Sequence, residues 1–515
     1  VPAAYQTQIN DVFQYPSVAA LAGVAEVGDW ESETQQADVT GPVQLTPIQH
    51  WFFEQQLTAP HHWNQSYLLK LALDADLTLI ERCLQQLFLH HDALRLRFRR
   101  TGDSWTQEND GPERPMRITH FNLSDLPVLE RHEALTKTAT KIQQSLDLSS
   151  GGLAKAAIFN FGPEESARLL LIFHHLVVDG VSWQILLEDL ETTYQQLLTG
   201  QFVQLPPKTS SFQHWAERLT VFAQSDEVKQ DLDFWLSKIP NELPLLSPDF
   251  SNEEIQNTAR STATISVTLT SEETDDLLRQ VPAAYQTQIN DVLLAALLLT
   301  FAEEIGTTEL FFDLEGHGRE ALFEEIDLSR TVGWFTSVFP MTLNLPGEAD
   351  IAEVLISVKE QLRQVPRNGI SYGLLRYLSH ENAVLEKIVR FPRAEITFNY
   401  MGQFDHDLSS YSLFQTAPEA KGIERALENK RRYRLEINCL VEQGQLTTKW
   451  SYSRNIFRQE TIENLGSSFI HNMRAIIEHC TMPETGGYTP SDFPEADLDQ
   501  NALDDLLDEF GEEIE

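Results

Sequence analysis

Three stretches of this sequence hold residues suited to proton chemistry. The first is LLLIFHHLVVDGVSWQILL, residues 169–187, where His174 and His175 follow an apolar run. Neighbouring residues on a strand point to opposite faces, so only one of the two can enter a given cavity. Asp179-Gly180 reads as a turn, and Ser182 as the cap of the following helix. A histidine at the end of a central strand suits proton transfer near neutral pH. On local sequence alone, a hydrogen-bonded core histidine is the stronger reading. The second stretch is DLEGHGRE, Asp313 to Glu320, in which Glu315 sits where an apolar strand meets a Gly-rich turn. A carboxylate held there can act as a general base, although a surface-loop charge is the stronger reading in isolation. The third is GISYG, Gly369 to Gly373, which matches the G-x-S-x-G of a hydrolase nucleophile elbow. That elbow needs a buried strand before its serine. A charged amphipathic helix broken at Pro366 precedes this one, so the match reads as chance and the segment as a loop. Two more histidine pairs, His61-His62 and His90-His91, have no Cys or His cluster near them at metal-ligand spacing, and no metal site is read.

The elements that must position these residues are mixed. LLLIFHH is continuously apolar and predicts a central strand. DALRLRFRR alternates Leu94, Leu96 and Phe98 with charged neighbours and predicts a half-exposed strand. WQILLEDLETTYQQLL repeats apolar residues on a helical face. ATISVTLTSEE alternates as a strand and then offers Thr270 and Glu273 as a capping box. Strands and helices mix throughout, so the class is α/β or α+β. VPAAYQTQINDV occurs at residues 1–12 and again at 281–292. The second copy runs into LLAALLLTFAEEIG, a buried helix stopped by Gly306; the first runs into FQYPSVAALAGVAEV, a different short helix. A single repeat implies no solenoid, and the first copy is given no function.

The chain has 515 residues, 42% of them hydrophobic, which is ample for two lobes. Its formal net charge of -39 excludes a nucleic-acid binder, which needs basic surface to displace phosphate counterions. The apolar stretch from Val292 to Ala302 is much shorter than the roughly 20 residues of a spanning helix, and no membrane role is read. Three scattered cysteines give no disulfide framework, and the absence of a secretory pattern suits a cytoplasmic protein. Residues 491–515 carry Asp and Glu without Lys or Arg. They read equally as a disordered linker or as a docking helix with Leu503, Leu506, Leu507 and Phe510 on one face.

Taken together, these pieces resemble the epimerization domains of nonribosomal peptide synthetases, within the condensation-domain superfamily. The resemblance runs from about Thr46 to Pro494 through PIQHWF (47–52), HHWNQS (61–66), HHLVVDGVSW (174–183), EGHGRE (315–320), RTVGWFTSVFP (330–340), PRNGISYG (366–373) and FNYMGQ (398–403). Ser371 departs from the usual glycine of the pattern. Residues 13–27 resemble the last helix of a peptidyl carrier domain, whose phosphopantetheine attachment motif is absent from this sequence.

The resemblance implies two lobes, each similar to chloramphenicol acetyltransferase, set as a V-shaped pseudo-dimer around a tunnel. The expected division is a carrier-domain tail and linker (1–37), an N-terminal lobe (38–220), a C-terminal lobe (221–490) and the acidic tail (491–515). It also implies inversion of the α-carbon of an aminoacyl or peptidyl thioester, with His175 and Glu315 as acid/base groups on opposite sides. His174, Gly180 and Ser182 support them. Asp179 is expected in a buried ion pair with Arg330 as partner, and Asn399 and Tyr400 as polar tunnel groups. No cofactor is expected in this chain; 4'-phosphopantetheine arrives on a partner peptidyl carrier domain, and the tail is a candidate contact for a downstream synthetase module. The alternatives are a condensation domain, which uses the same histidine motif to join two carrier-bound acyl groups, and a non-catalytic recruitment module of the same fold.

Overall fold

The apolar run before His174 forms the strand Arg168–His174, and every residue of it is buried. The computed structural model describes residues 38–503, with breaks at 114, 241–245, 251–255, 348, 404–410, 484, 494–495, 497–499 and 501, together with 5–6 and 26–27. Arg168–His174 is the middle strand of a five-stranded sheet. Its order is Phe414–Thr416, Asn64–Leu71, Arg168–His174, Ala154–Asn160 and Arg117–Asn122. A second sheet has six strands in the order Thr262–Thr268, Gln445–Ser453, Leu435–Glu442, Ile396–Gln403, Glu309–Gly316 and Ser337–Asn344. Helices pack against both, giving the mixed α/β class expected. One strand crosses the expected division at 220/221. Phe414–Thr416 lies far along the chain yet pairs antiparallel with Asn64–Leu71, covering that strand's edge.

Local chemistry explains the element ends. Thr270 and Glu273 form the capping box read from sequence, with Glu273 Oε2 accepting from the Thr270 amide at 2.8 Å. The buried helix is Ile289–Ile305, and Gly306 ends it in the left-handed region at φ 77°. Asp92–Arg95 departs from the strand expectation and is a 3-10 turn, with the strand beginning at Leu96. The buried Arg95 side chain causes this, because it donates to the carbonyls of Phe88 and Leu89 and to Asp92, folding the chain back onto the preceding helix. The segment around Ser371 is a helical turn, Ile370–Gly373, rather than a loop. Ser371 is fully buried and its Oγ accepts from the Trp235 indole at 3.0 Å, which rules out an exposed nucleophile. The start of the acidic tail belongs to the packed structure. Asp492 accepts from the buried Lys359 Nζ at 2.6 Å, and Leu503 is buried. Leu506, Leu507 and Phe510 lie outside the described residues. Most of residues 13–27 does too, but Glu26–Val27 is a strand paired with Tyr5–Gln6 rather than the end of a helix.

A buried ion pair ties the two sheets together. Asp179, rather than Ser182 as expected, caps the helix Gly180–Leu198, its carboxylate accepting from the Ser182 amide at 2.8 Å. Its carboxylate also accepts from Arg319 Nη2 at 3.0 and 3.1 Å. Arg319 Nη1 donates to the carbonyls of Leu328 and Thr331, and its side chain is completely buried. The partner of Asp179 is therefore Arg319, not Arg330. Arg330 bonds Glu188 at 3.1 Å and Asp189 at 2.5 Å. Those two acids lie nine and ten residues further along the same helix, about 14 Å at 1.5 Å per residue, out of reach of its capping carboxylate. Removing Arg319 strands a carboxylate in an apolar surround, so Arg319→Ala is expected to lower folding stability by about 3–5 kcal/mol. Arg330→Ala should lose less, because Arg330 is partly exposed and Asp189 keeps its 2.8 Å bond from His91. Denaturant unfolding of the two variants checks this; equal losses would contradict it.

Candidate active site

Strands from both sheets bring their ends to one cavity of about 380 Å³. His175, Asp179 and Gly180 line it from the first sheet and its helix, and Glu315, Asn399 and Tyr400 from the second. His174, Ser182 and Arg330 lie outside this lining.

The chain leaves the central strand at His174 and makes a 3-10 turn, which separates the two histidines. His174 is fully buried; its Nε2–H donates to the Pro60 carbonyl at 2.8 Å and its Nδ1 accepts from the Leu176 amide at 3.1 Å. Both ring nitrogens are used, and burial pushes its pKa down to about 3. It is a neutral structural group.

His175 is partly exposed, towards the cavity. The Val178 carbonyl lies 2.8 Å from Nδ1, and a carbonyl only accepts, so Nδ1 carries the hydrogen. Trp183 Nε1–H donates to Gln65 Oε1 at 2.8 Å, which turns the Gln65 amide nitrogen toward His175 Nε2 at 3.1 Å. Nε2 therefore carries no hydrogen and its lone pair accepts from Gln65, the neutral form from which a general base acts once that amide is displaced. The ring lies 4.3 Å from the Trp334 ring. Burial first, and then the Arg425 charge, push the His175 pKa down to about 4.

Glu315 is placed by strand register. It pairs with Asn399 across the parallel strands Glu309–Gly316 and Ile396–Gln403, so the two side chains share a face. Asn399 Nδ2 donates to Glu315 Oε2 at 3.0 Å. Burial raises the Glu315 pKa to about 7; the Glu436 charge adds to this and Arg425 opposes it. At neutral pH the site thus holds a neutral imidazole and a carboxyl shared between its acid and base forms.

Three groups that shape this site have no role legible from residue type: Gln65, Trp334 and Arg319. Each stands inside one of the family-like motifs, but residue type alone does not say which atom it orients. The other histidine pairs serve structure. His61 Nδ1 accepts from the Leu148 amide, and His62 Nε2–H donates to the Ile423 carbonyl. His90, His91 and Asp189 come within 4.8 Å of one another. Both Asp189 oxygens are already taken, by His91 Nε2 and Arg330 Nη2. Among the described residues, no helix is long and apolar enough to cross a membrane.

The family model for the condensation domain matches residues 39–498. The chain belongs to the condensation-domain family. A chondramide synthase of Chondromyces crocatus is 42% identical over 514 residues, covering 99% of this chain and 13% of that protein. Gramicidin S synthase 1 of Brevibacillus brevis is 35% identical over 98% of this chain and 46% of its own length. This condensation-family chain therefore spans less than half the length of these relatives. Among solved structures, the epimerization domain from the third module of tyrocidine synthetase B is 36% identical. It superposes with a TM-score of 0.81, covering 87% of this chain and 98% of that one. The X-domain from teicoplanin biosynthesis, 16% identical with a TM-score of 0.67, shares the fold; the match covers 88% of this chain and 98% of that one.

The hydrogen bonds around His175 fix a testable state. Nitrogen-15 NMR should show a neutral Nδ1–H imidazole that persists below pH 5 and titrates near 4. An imidazolium at pH 6 would contradict this geometry.

Proposed function

We propose that this domain interconverts the L and D forms at the α-carbon of an aminoacyl or peptidyl thioester held on the phosphopantetheine arm of a peptidyl carrier domain. The observation that carries the reading is the pair His175 and Glu315, an imidazole lone pair and a carboxyl that titrates near neutrality, lining one cavity from different sheets. The near-complete coverage of an epimerization domain at 36% identity supports it.

A thioester acidifies its α-hydrogen, though not to a value near pH 7. One group must take that proton from one face, and another must return a proton to the opposite face. The two groups hold one proton between them in the working state: neutral His175 with protonated Glu315, or His175 imidazolium with Glu315 carboxylate. Taking the α-proton and delivering another moves that proton from one member to the other, and no net charge enters or leaves. Asn399 holds the Glu315 carboxyl in place, and Gln65 holds the His175 ring. Gln65, Gln184, Gln288 and Asn399, set among apolar residues of the lining, suit an arm rich in amides, which enters as part of the substrate rather than as a resident cofactor. A condensation reaction joins two carrier-bound groups and does not require a second acid on the far face. The position of Glu315 favours epimerization over it.

The test supplies a carrier loaded with a defined L-aminoacyl or peptidyl group and analyses product chirality. Wild type should yield D product, and a free amino acid should not react, because the arm supplies the positioning. Glu315→Gln and His175→Ala should each lower inversion by about 10²-fold or more. Folded variants that both invert at near-normal rates would place the acid/base pair elsewhere; a dependence on a second loaded carrier, with peptide-bond formation, would favour condensation.

A further inference from the structure

The proposed reaction turns His175 into an imidazolium beside a cavity, and a cation taken out of water needs a compensating partner. Among the described residues, no carboxylate bonds the ring. Its Nδ1–H donates to the Val178 carbonyl, and its Nε2 accepts from the Gln65 amide. Of the charged groups acting on it, Arg425 opposes the imidazolium, and Asp179, which favours it, is already neutralised by Arg319. The group in contact with the ring itself is the indole of Trp334. The two ring centres lie 4.3 Å apart and the planes are tilted by 31°. At that separation the rings overlap face to face, because rings meeting at their edges hold their centres further apart.

This overlap is built rather than incidental. Ser182 Oγ accepts from the Gly333 amide at 3.0 Å, and Asp179 Oδ2 accepts from the Phe335 amide at 3.2 Å. The two residues that flank Trp334 are thus bonded to the start of the helix that follows the His175 turn. A Cβ at residue 333 would lie 2.5 Å from the Phe212 ring, so glycine is needed for this close approach. The Trp334 indole is buried, and Trp51 and Phe52 meet it at steep angles with ring centres 6.3 Å away. These contacts hold its face against the imidazole. Trp334 is outside the lining of the cavity, so it touches His175 without reaching the substrate.

We propose that the face of Trp334 stabilises the His175 imidazolium by a cation–π contact, and so sets how readily the imidazole takes the α-proton. An indole carries negative charge density on its face, and exclusion of water strengthens its attraction for a cation. The contact favours the protonated ring over the neutral one, and so acts where charge develops during the reaction. The enolate-like intermediate faces an imidazolium whichever hand of substrate enters, because His175 has either just taken the α-proton or has yet to give its own. Weakening the contact therefore slows both directions by the same factor, as an unchanged equilibrium between L and D requires. Trp334 acts through His175 and is a positioning residue. This inference rests on the epimerase reading.

The experiment replaces Trp334 alone with tryptophans that carry one, two, three or four ring fluorines, which nearly keep the shape of the indole and withdraw charge from its face. Two quantities are read across the series. Nitrogen-15 NMR follows the titration of His175 in the unloaded protein. Rapid quench follows single-turnover inversion of a loaded carrier with deuterium at the α-carbon, which keeps cleavage of that bond limiting. The His175 pKa should fall with each added fluorine. The logarithm of the inversion rate should fall with it, by about tenfold over the series and equally from L and D substrate. A pKa or a rate that stays flat across the series overturns the proposal. So does a loss of rate that does not follow the number of fluorines, because that is the signature of packing alone. Failure of the wild-type protein to invert any loaded carrier would instead overturn the epimerase reading, while the NMR series still reads the contact, so the two failures are distinct.

Discussion

The buried pair of Asp179 and Arg319 is the interaction on which the site depends. Asp179 caps the helix that follows the histidine turn, and Arg319 belongs to the loop that follows Glu315. One contact therefore fixes the end of the first sheet against the end of the second. Its desolvation is offset because both terminal nitrogens of Arg319 find acceptors and both Asp179 oxygens are bonded. The phenyl ring of Phe335, 3.9 Å from the guanidinium carbon, closes the remaining face. Loss of this pair would free the His175 turn and the Glu315 loop to drift apart from their common cavity.

Given that frame, burial sets the chemistry in opposite senses for the two groups. It disfavours whichever form is charged, so it lowers the imidazole and raises the carboxyl. The result is a base that stays neutral and an acid that holds its proton near pH 7. Hydrogen bonds then choose the atoms. The Val178 carbonyl fixes the hydrogen on Nδ1, and the chain from Trp183 through Gln65 leaves Nε2 as acceptor.

The proposed pair of His175 and Glu315 was legible only through the ordered family-like motifs, because local sequence alone favoured a core histidine and a surface-loop charge. The capping box at Thr270 and Glu273 and the stop at Gly306 were legible directly, because each is a local rule of hydrogen bonding or φ. What escaped depends on which partner a side chain or strand reaches in the folded chain. Arg319 and Arg330 are the same residue type eleven positions apart, and only the three-dimensional path decides which reaches Asp179. The 3-10 turn at Asp92–Arg95 arises from a buried arginine folding back on the previous helix, which overrides an alternating pattern. The strand Phe414–Thr416 completes a sheet built more than 200 residues earlier, and three residues carry too little pattern to reveal that.

The central claim is that two groups on opposite faces of the α-carbon carry out the inversion, and solvent isotope content of the first turnover tests it most directly. L-aminoacyl or L-peptidyl carrier with ordinary hydrogen at the α-carbon is mixed with the wild-type protein in deuterium oxide and quenched early. Two groups predict D product that carries deuterium at the α-carbon, because the delivered hydrogen comes from the opposite group, while recovered L substrate keeps its original hydrogen. D product that retains its original hydrogen would show a single group carrying the proton from one face to the other, and would contradict the account.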